Sequence, residues 1–154
     1  MRKVVILENI RSAYNCGNII RTADALGREV WLVGYTPHPD EQSKVKKTSL
    51  GAEKTVKLQR FDYTRDAITA AKKQDFTILA GEITADAIAV DAYNTYHGEG
   101  GVSNIALILG NEVDGVMDLT LKLVDDIVYI PMQGIKESLN VGQSSAILMR
   151  ELGK

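Results

Sequence analysis

The sequence predicts an α/β fold, a mostly parallel sheet with helices on both faces. Three observations carry the prediction: six short apolar runs recur along 154 residues, segments of helical periodicity separate them, and polar, glycine-bearing stretches follow several of the runs. Strands alternating with helices at this pitch pair through right-handed crossovers, and near-continuous apolar runs suit strands buried on both faces.

The elements follow in order. KVVILE (3–8) is the first strand, and NIRSAYNCGN leads from it into GNIIRTADALG (17–27), where Ile19, Ala23 and Leu26 share a face and Gly27 is suited to stop the helix. EVWLVG (29–34) is the next strand. The lysine-rich stretch 43–60 gathers Lys44, Lys46, Lys47, Lys54, Lys57 and Arg60 against only Glu53. Composition leaves two readings of it equally open, a solvated loop and an RNA contact. The stretch ends in the strand TVKLQRF (55–61). YTRDAITAAKKQ (63–74) reads as a helix and FTILAG (76–81) as a strand. HGEGG (97–101) reads as a turn before the strand NIALILG (104–110). GVMDLTLKLV (115–124) is a weaker helix and DIVYIPM (126–132) the last strand. The final helix is VGQSSAILMREL (141–152), capped by Asn140, with Val141, Leu148 and Leu152 on one face.

A chain of this length is expected to be one domain, 1–154, able to bury roughly 68–70% of its unfolded surface. The lone Cys16 cannot form an internal bridge. No apolar run approaches the roughly 20 residues of a membrane span, so the expectation is a soluble, cytoplasmic protein without a membrane partner. Eighteen Lys plus Arg against 20 Asp plus Glu leave a net charge of −2, so a polyanion must be met by a local patch.

Ligands of such sheets bind beyond the carboxyl ends of the strands, and that rule selects four loops: ENIRSAYNCGN, GEITAD, GNEVDG and PMQGIKESLN. In GNEVDG (110–115), Gly110 allows close approach to a ligand. Glu112 is either a functional acid or a helix-start carboxylate favoured by the macrodipole. The loop lacks the lysine and hydroxyl of a Walker phosphate loop. Ser138 and Asn140 are good first-turn residues in any protein. His38 and His97 have no second His or Cys at ligand spacing, so no metal is expected. Cys16 reads as a small buried thiol, while Tyr14 and Tyr63 suit either base stacking or a core or interface.

Three segments, NIRSAYNCGNIIRTADALG from Asn9, LILGNEVDGV from Leu107 and IPMQGIKESLNV from Ile130, resemble in order and placement the motifs of the SpoU (TrmH) branch of the SPOUT RNA methyltransferases. The resemblance implies a deep trefoil knot at the C-terminus, a homodimer, S-adenosyl-L-methionine as cofactor, and methyl transfer to a ribose 2′-hydroxyl of RNA. A tRNA substrate is expected first and rRNA second. By motif position it assigns catalytic roles to Asn15, Arg21, Glu112, Ser138 and Asn140, and a cofactor pocket to Leu109, Gly110, Ile130, Met132, Ser138 and Leu139, with Gly81 beside it. On this reading Asn15 and Arg21 face a ribose phosphate, Gly17 permits its close approach, and the helix start adds anion affinity. Arg11, with Lys44, Lys46 and Lys47, is expected to hold RNA backbone, with a structural ion pair as an equal alternative for Arg11. With the sequence running from Met1 to Lys154, the expectation is that the catalytic dimer itself recognises the substrate. Val113 stands where the family commonly has Gly, and Gly142, Gln143, Ser144 and Ser145 where it has small apolar residues. Two rivals are a non-catalytic RNA-binding member of the fold and a small-molecule enzyme, the latter requiring a nucleotide-phosphate fingerprint that the first strand lacks.

Overall fold

The computed structural model describes residues 1–96 and 104–153. The strands are β1 (Lys3–Glu8), β2 (Glu29–Val33), β3 (Leu58–Phe61), β4 (Thr77–Gly81), β5 (Ile88–Ala89), β6 (Ile105–Leu109) and β7 (Asp126–Tyr129). The helices are α1 (Ala13–Ala25), α2 (Lys46–Ser49), α3 (Thr64–Lys72), α4 (Val90–Tyr96), α5 (Asp118–Leu121) and α6 (Val141–Glu151). One seven-stranded sheet runs in the order β3-β2-β1-β6-β4-β7-β5, and neighbouring strands pair in parallel. The expected fold class, a mostly parallel sheet with helices, is therefore the observed one.

Alternation along the strands divides the core. Val5, Leu7, Leu32, Leu79 and Leu107 lie under α1 and α6 with Ile19, Ile20, Leu148 and Met149. Val4, Ile6, Trp31, Ile78 and Ile108 face Ala67, Ile68 and Ala71 of α3. Each such side chain removed from water contributes about 1.5–3 kcal/mol, which is why the short runs suffice to order the sheet. Trp31 is held by ring contacts to Phe61 and Phe76 at 5.2 and 6.2 Å. At its far end α6 is tied to the sheet by the buried Arg28, which donates to the Met149 carbonyl at 2.6 Å, and by Lys3, which donates to the Gly153 carbonyl at 2.9 Å. Both cations sit where the helix dipole is negative. Burial draws the Arg28 guanidinium down to about 10.

Several expectations are revised. The first helix begins at Ala13, so Asn15 and Gly17 belong to its first turns. The connection 34–57 is not a plain loop: Val45, Ala52 and Val56 are buried against α1 while Lys44, Lys46 and Lys47 remain exposed. Gly17 makes that packing feasible, since a Cβ there would stand 2.2 Å from the Val45 carbonyl oxygen and 2.0 Å from Thr48 Oγ1. The close approach it permits is thus the protein's own backbone, not a ribose phosphate. The segment 115–124 yields only the four-residue α5. β5 and α4 carried no signal strong enough to be expected. The turn HGEGG, with His97, lies outside the described residues.

Candidate active site

The site begins where β1 ends. Ser12 caps α1, its Oγ accepting from the Asn15 backbone N–H at 3.2 Å. Glu112, from the loop after β6, reaches across and accepts from the Arg11 N–H (3.0 Å), the Ser12 N–H (3.1 Å) and the Asn15 amide (2.9 Å). Burial pushes this carboxyl upward, but the Asn15 amide and the backbone N–H groups outweigh it and hold Glu112 below the usual carboxylate range. The helix-start reading of Glu112 was correct in kind, but the helix is α1, about a hundred residues earlier in the chain. The anion held at that helix start is the protein's own carboxylate, which corrects the expectation that α1 offers its N-terminus to phosphate.

Asn15 extends the connection. Its Oδ1 accepts from the Asn140 side-chain amide at 3.4 Å, and Asn140 Oδ1 accepts from the Gly142 N–H at 2.7 Å, capping α6. Glu112, Asn15 and Asn140 therefore form one hydrogen-bonded line through all three motif segments.

The loop 110–116 is folded tightly on itself. Asn111 Oδ1 accepts from the Val113 and Asp114 N–H groups at 2.9 and 2.6 Å, and Gly115 takes φ +69°. A Cβ on Gly110 would stand 2.0 Å from the Gly115 carbonyl carbon, so Gly110 serves the loop's own closure. Glu82, just after β4, accepts from the Ile83 N–H at 2.9 Å and the Val116 N–H at 3.1 Å.

Beyond these strand ends lies a cavity of about 700 Å³. Gly81, Leu109, Gly110, Ile130, Met132, Ser138 and Leu139 line it together, as do Glu112 and Asn140. Sequence reasoning missed Glu82, Ser144 and Leu148. The strand-end rule that selected GEITAD would have found Glu82, one position beyond Gly81. Leu109, Val128, Ile130 and Leu148 give the cavity an apolar floor. Its lining carboxylates are Glu82, Glu112, Asp114 and Asp118, with no Lys, Arg or His among the described lining residues.

Arg21 is elsewhere. It is exposed on α1 and lines a second groove of about 510 Å³ with Asn18, Thr22, Leu26, Ala146 and Arg150. Arg11 is exposed and forms no ion pair among the described residues, so the alternative of a structural ion pair falls away. Cys16 is buried, its thiol donating to the Pro37 carbonyl at 3.2 Å. Burial first, and Glu112 second, push it up to about 12, which makes it inert. No group of metal-ligating side chains occurs among the described residues.

The sequence model of the SpoU rRNA Methylase family matches residues 2–150. The chain belongs to this family. Among its SpoU relatives, a Borreliella burgdorferi protein named as an uncharacterized tRNA/rRNA methyltransferase is 32% identical over 97% of this chain and 62% of its own length. A Vibrio vulnificus 23S rRNA (guanosine-2′-O-)-methyltransferase is 30% identical over 96% of this chain and 57% of its own. The chain thus spans about three-fifths of the length of these SpoU proteins. An AdoMet-bound rRNA methyltransferase from Sinorhizobium meliloti superposes with a TM-score of 0.87 at 25% identity, over 98% of this chain and 55% of that one.

Proposed function

We propose that this SpoU protein is a cytoplasmic, S-adenosyl-L-methionine-dependent RNA 2′-O-ribose methyltransferase that works as a homodimer and acts on tRNA. The observation that carries the reading is the acidic cavity with an apolar floor, tied through Glu112, Asn15 and Asn140 to the helix bearing Arg21. The lining suits the cofactor: an adenine ring meets Leu109, Val128, Ile130 and Leu148, and a cationic sulfonium meets carboxylates without a competing Lys or Arg. Bound there, the cofactor supplies an electrophilic methyl group.

The chain's own residues would do the remaining work. Glu112 and Asn140 orient Asn15 and fix the start of α6, so that Ser138, Leu139 and Ser144 form a wall of constant shape. Arg21 binds the phosphate beside the reacting ribose through its guanidinium and stabilises the developing alkoxide. The ribose proton passes to substrate phosphate or solvent. Arg11, Lys44, Lys46 and Lys47 hold the RNA backbone. Because Arg21 does not line the cavity of its own chain, the reading gives it to the cavity of a second copy packed on the α1–α6 face. A knotted C-terminus belongs to the same reading. It is supported by the path of α6, which follows β7 yet packs on α1, whose preceding strand is three positions away in the sheet.

A second substrate, rRNA, is favoured by the name of the Vibrio relative. Both are tested by incubating the protein with methyl-labelled cofactor and unmodified bulk tRNA or rRNA, then digesting and identifying the labelled nucleosides. A labelled 2′-O-methylnucleoside from tRNA is expected. Label in rRNA alone reverses the substrate order, and label on a base overturns the ribose assignment.

A further inference from the structure

Glu82 is the cavity carboxylate that two backbone donors hold in a fixed orientation while each of its oxygens keeps a free position. Glu112 is used by the start of α1, where three donors converge on it. Asp114 accepts from the Asn111 amide at 3.4 Å, and Asp118 sits in the first turn of α5. Glu82 accepts one bond on each oxygen, from Ile83 and Val116, and has no cationic partner among the described residues. An ionised carboxylate offers about four lone-pair positions, so two remain, one on each oxygen. The two backbone bonds hold the side chain in place. Gly115 allows this, because a Cβ there would stand 2.3 Å from Glu82 Oε2.

Its position selects the ligand group. Gly81, the preceding residue, lies against Leu109 and Leu148 of the apolar floor, where a Cβ would stand 2.9 and 2.8 Å from their methyl carbons. Glu82 is therefore the first polar side chain at the edge of the floor on the β4 side, where the sugar attached to an adenine would lie. A vicinal diol presents two O–H donors, matching the two free positions, and an acid at a strand end takes ribose hydroxyls in the same way in dinucleotide-binding folds. Resting on the methyltransferase reading above, we infer that Glu82 accepts hydrogen bonds from both ribose hydroxyls of the adenosyl cofactor and sets the cavity's preference for a ribonucleoside.

The test is calorimetric and independent of turnover. S-adenosylhomocysteine and its 2′-deoxy and 3′-deoxy analogues are titrated into the wild-type protein and Glu82→Gln, with circular dichroism and melting to verify folding. Wild type is expected to bind each deoxy analogue roughly 10- to 100-fold more weakly than the parent, and Glu82→Gln to lose most of that discrimination. Equal binding of all three ligands by wild type overturns the assignment, whether or not the variant folds. A uniform loss across the three ligands in Glu82→Gln also overturns it and leaves Glu82 as the latch on Val116. If wild type binds none of them, the methyltransferase reading itself fails, and the assignment with it.

Discussion

The cavity and the α1–α6 groove are lined in opposite senses. Glu82, Glu112, Asp114 and Asp118 border the first, while Arg21 and Arg150 border the second with no acid among its described lining residues. The difference teaches that one small chain, with a net charge of only −2, has separated an acidic cavity from a basic groove. It also shows why the two do not meet within one copy. Arg21 follows Asn15 by six positions, about 9 Å along a helix and about 120° around it. The sharpest way to break the comparison is Arg21→Ala. Methyl transfer should fall by about 10²- to 10³-fold while calorimetric binding of S-adenosylhomocysteine is retained. Mixing Arg21→Ala with a variant whose cavity is blocked, Ser144→Trp, should restore part of the activity if the two sites work across copies. No restoration, with both variants folded and dimeric, would mean that Arg21 serves its own cavity.

The next effect concerns what joins the two regions. Glu112 holds the start of α1, and Glu112→Gln should cost about 0.5–1.5 kcal/mol in chemical denaturation, because three solvent-screened donors lose a charged acceptor. The pH dependence has a definite sign. The folded value of Glu112 is depressed, so its contribution is complete above the unfolded value of about 4.3 and disappears as pH falls through the folded value. The gap between wild type and Glu112→Gln should be full at pH 7 and narrow at about pH 3. A gap that did not narrow would assign the effect to shape and not to charge.

These two regions also mark what the sequence made legible. Buried parallel strands announce themselves through local apolar runs, and the residues at their ends converge because the sheet forces them to. Gly81, Leu109, Gly110, Ile130, Met132, Ser138 and Leu139, which the motif resemblance rather than the strand pattern assigned to a pocket, line one cavity. What local pattern could not carry was the identity of long-range partners. Gly17 and Gly110 looked like room for a ligand, yet the space each provides is filled by Val45 and Thr48 in one case and Gly115 in the other. Glu112, open to reading as the start of its own helix or as a functional acid, instead binds the backbone just before α1, about a hundred positions earlier, where Ser12 is the cap. The burial of Val45, Ala52 and Val56 among lysines was hidden for a related reason. Three apolar residues spaced over a polar stretch show no strand or helix period, and only the close approach allowed by Gly17 brings them onto α1.

That packing supplies the third test. Gly17→Ala gains about 1 kcal/mol of helix propensity, but its Cβ must displace the Val45 carbonyl, now 2.2 Å from where it would stand. Overpacking of this kind costs about 1–3 kcal/mol, so a net loss of up to about 2 kcal/mol, centred near 1, is expected in urea denaturation. A variant as stable as wild type would show that the 43–49 turn moves freely on α1, and the lysines on it would then have no fixed position relative to Arg21.

The smallest effect sharpens the comparison most directly, because it reads the sign of the cavity alone. S-adenosylmethionine carries one more positive charge than S-adenosylhomocysteine, and the two differ otherwise by a methyl group. In a cavity bordered by four carboxylates the charged donor should bind roughly two- to tenfold tighter than the neutral product at low ionic strength. Rising salt should narrow that ratio, since the cavity mouth is open to solvent and the Debye length shortens from about 30 Å at 0.01 M to about 10 Å at 0.1 M. Apolar contact with the adenine is insensitive to salt over this range, so the ratio isolates the electrostatic part of binding. A ratio near one at all salt concentrations would mean that the carboxylates are occupied with the protein's own donors, as Glu112 already is. The contrast with the Arg21 groove would then arise from how the loops fold and not from what they bind.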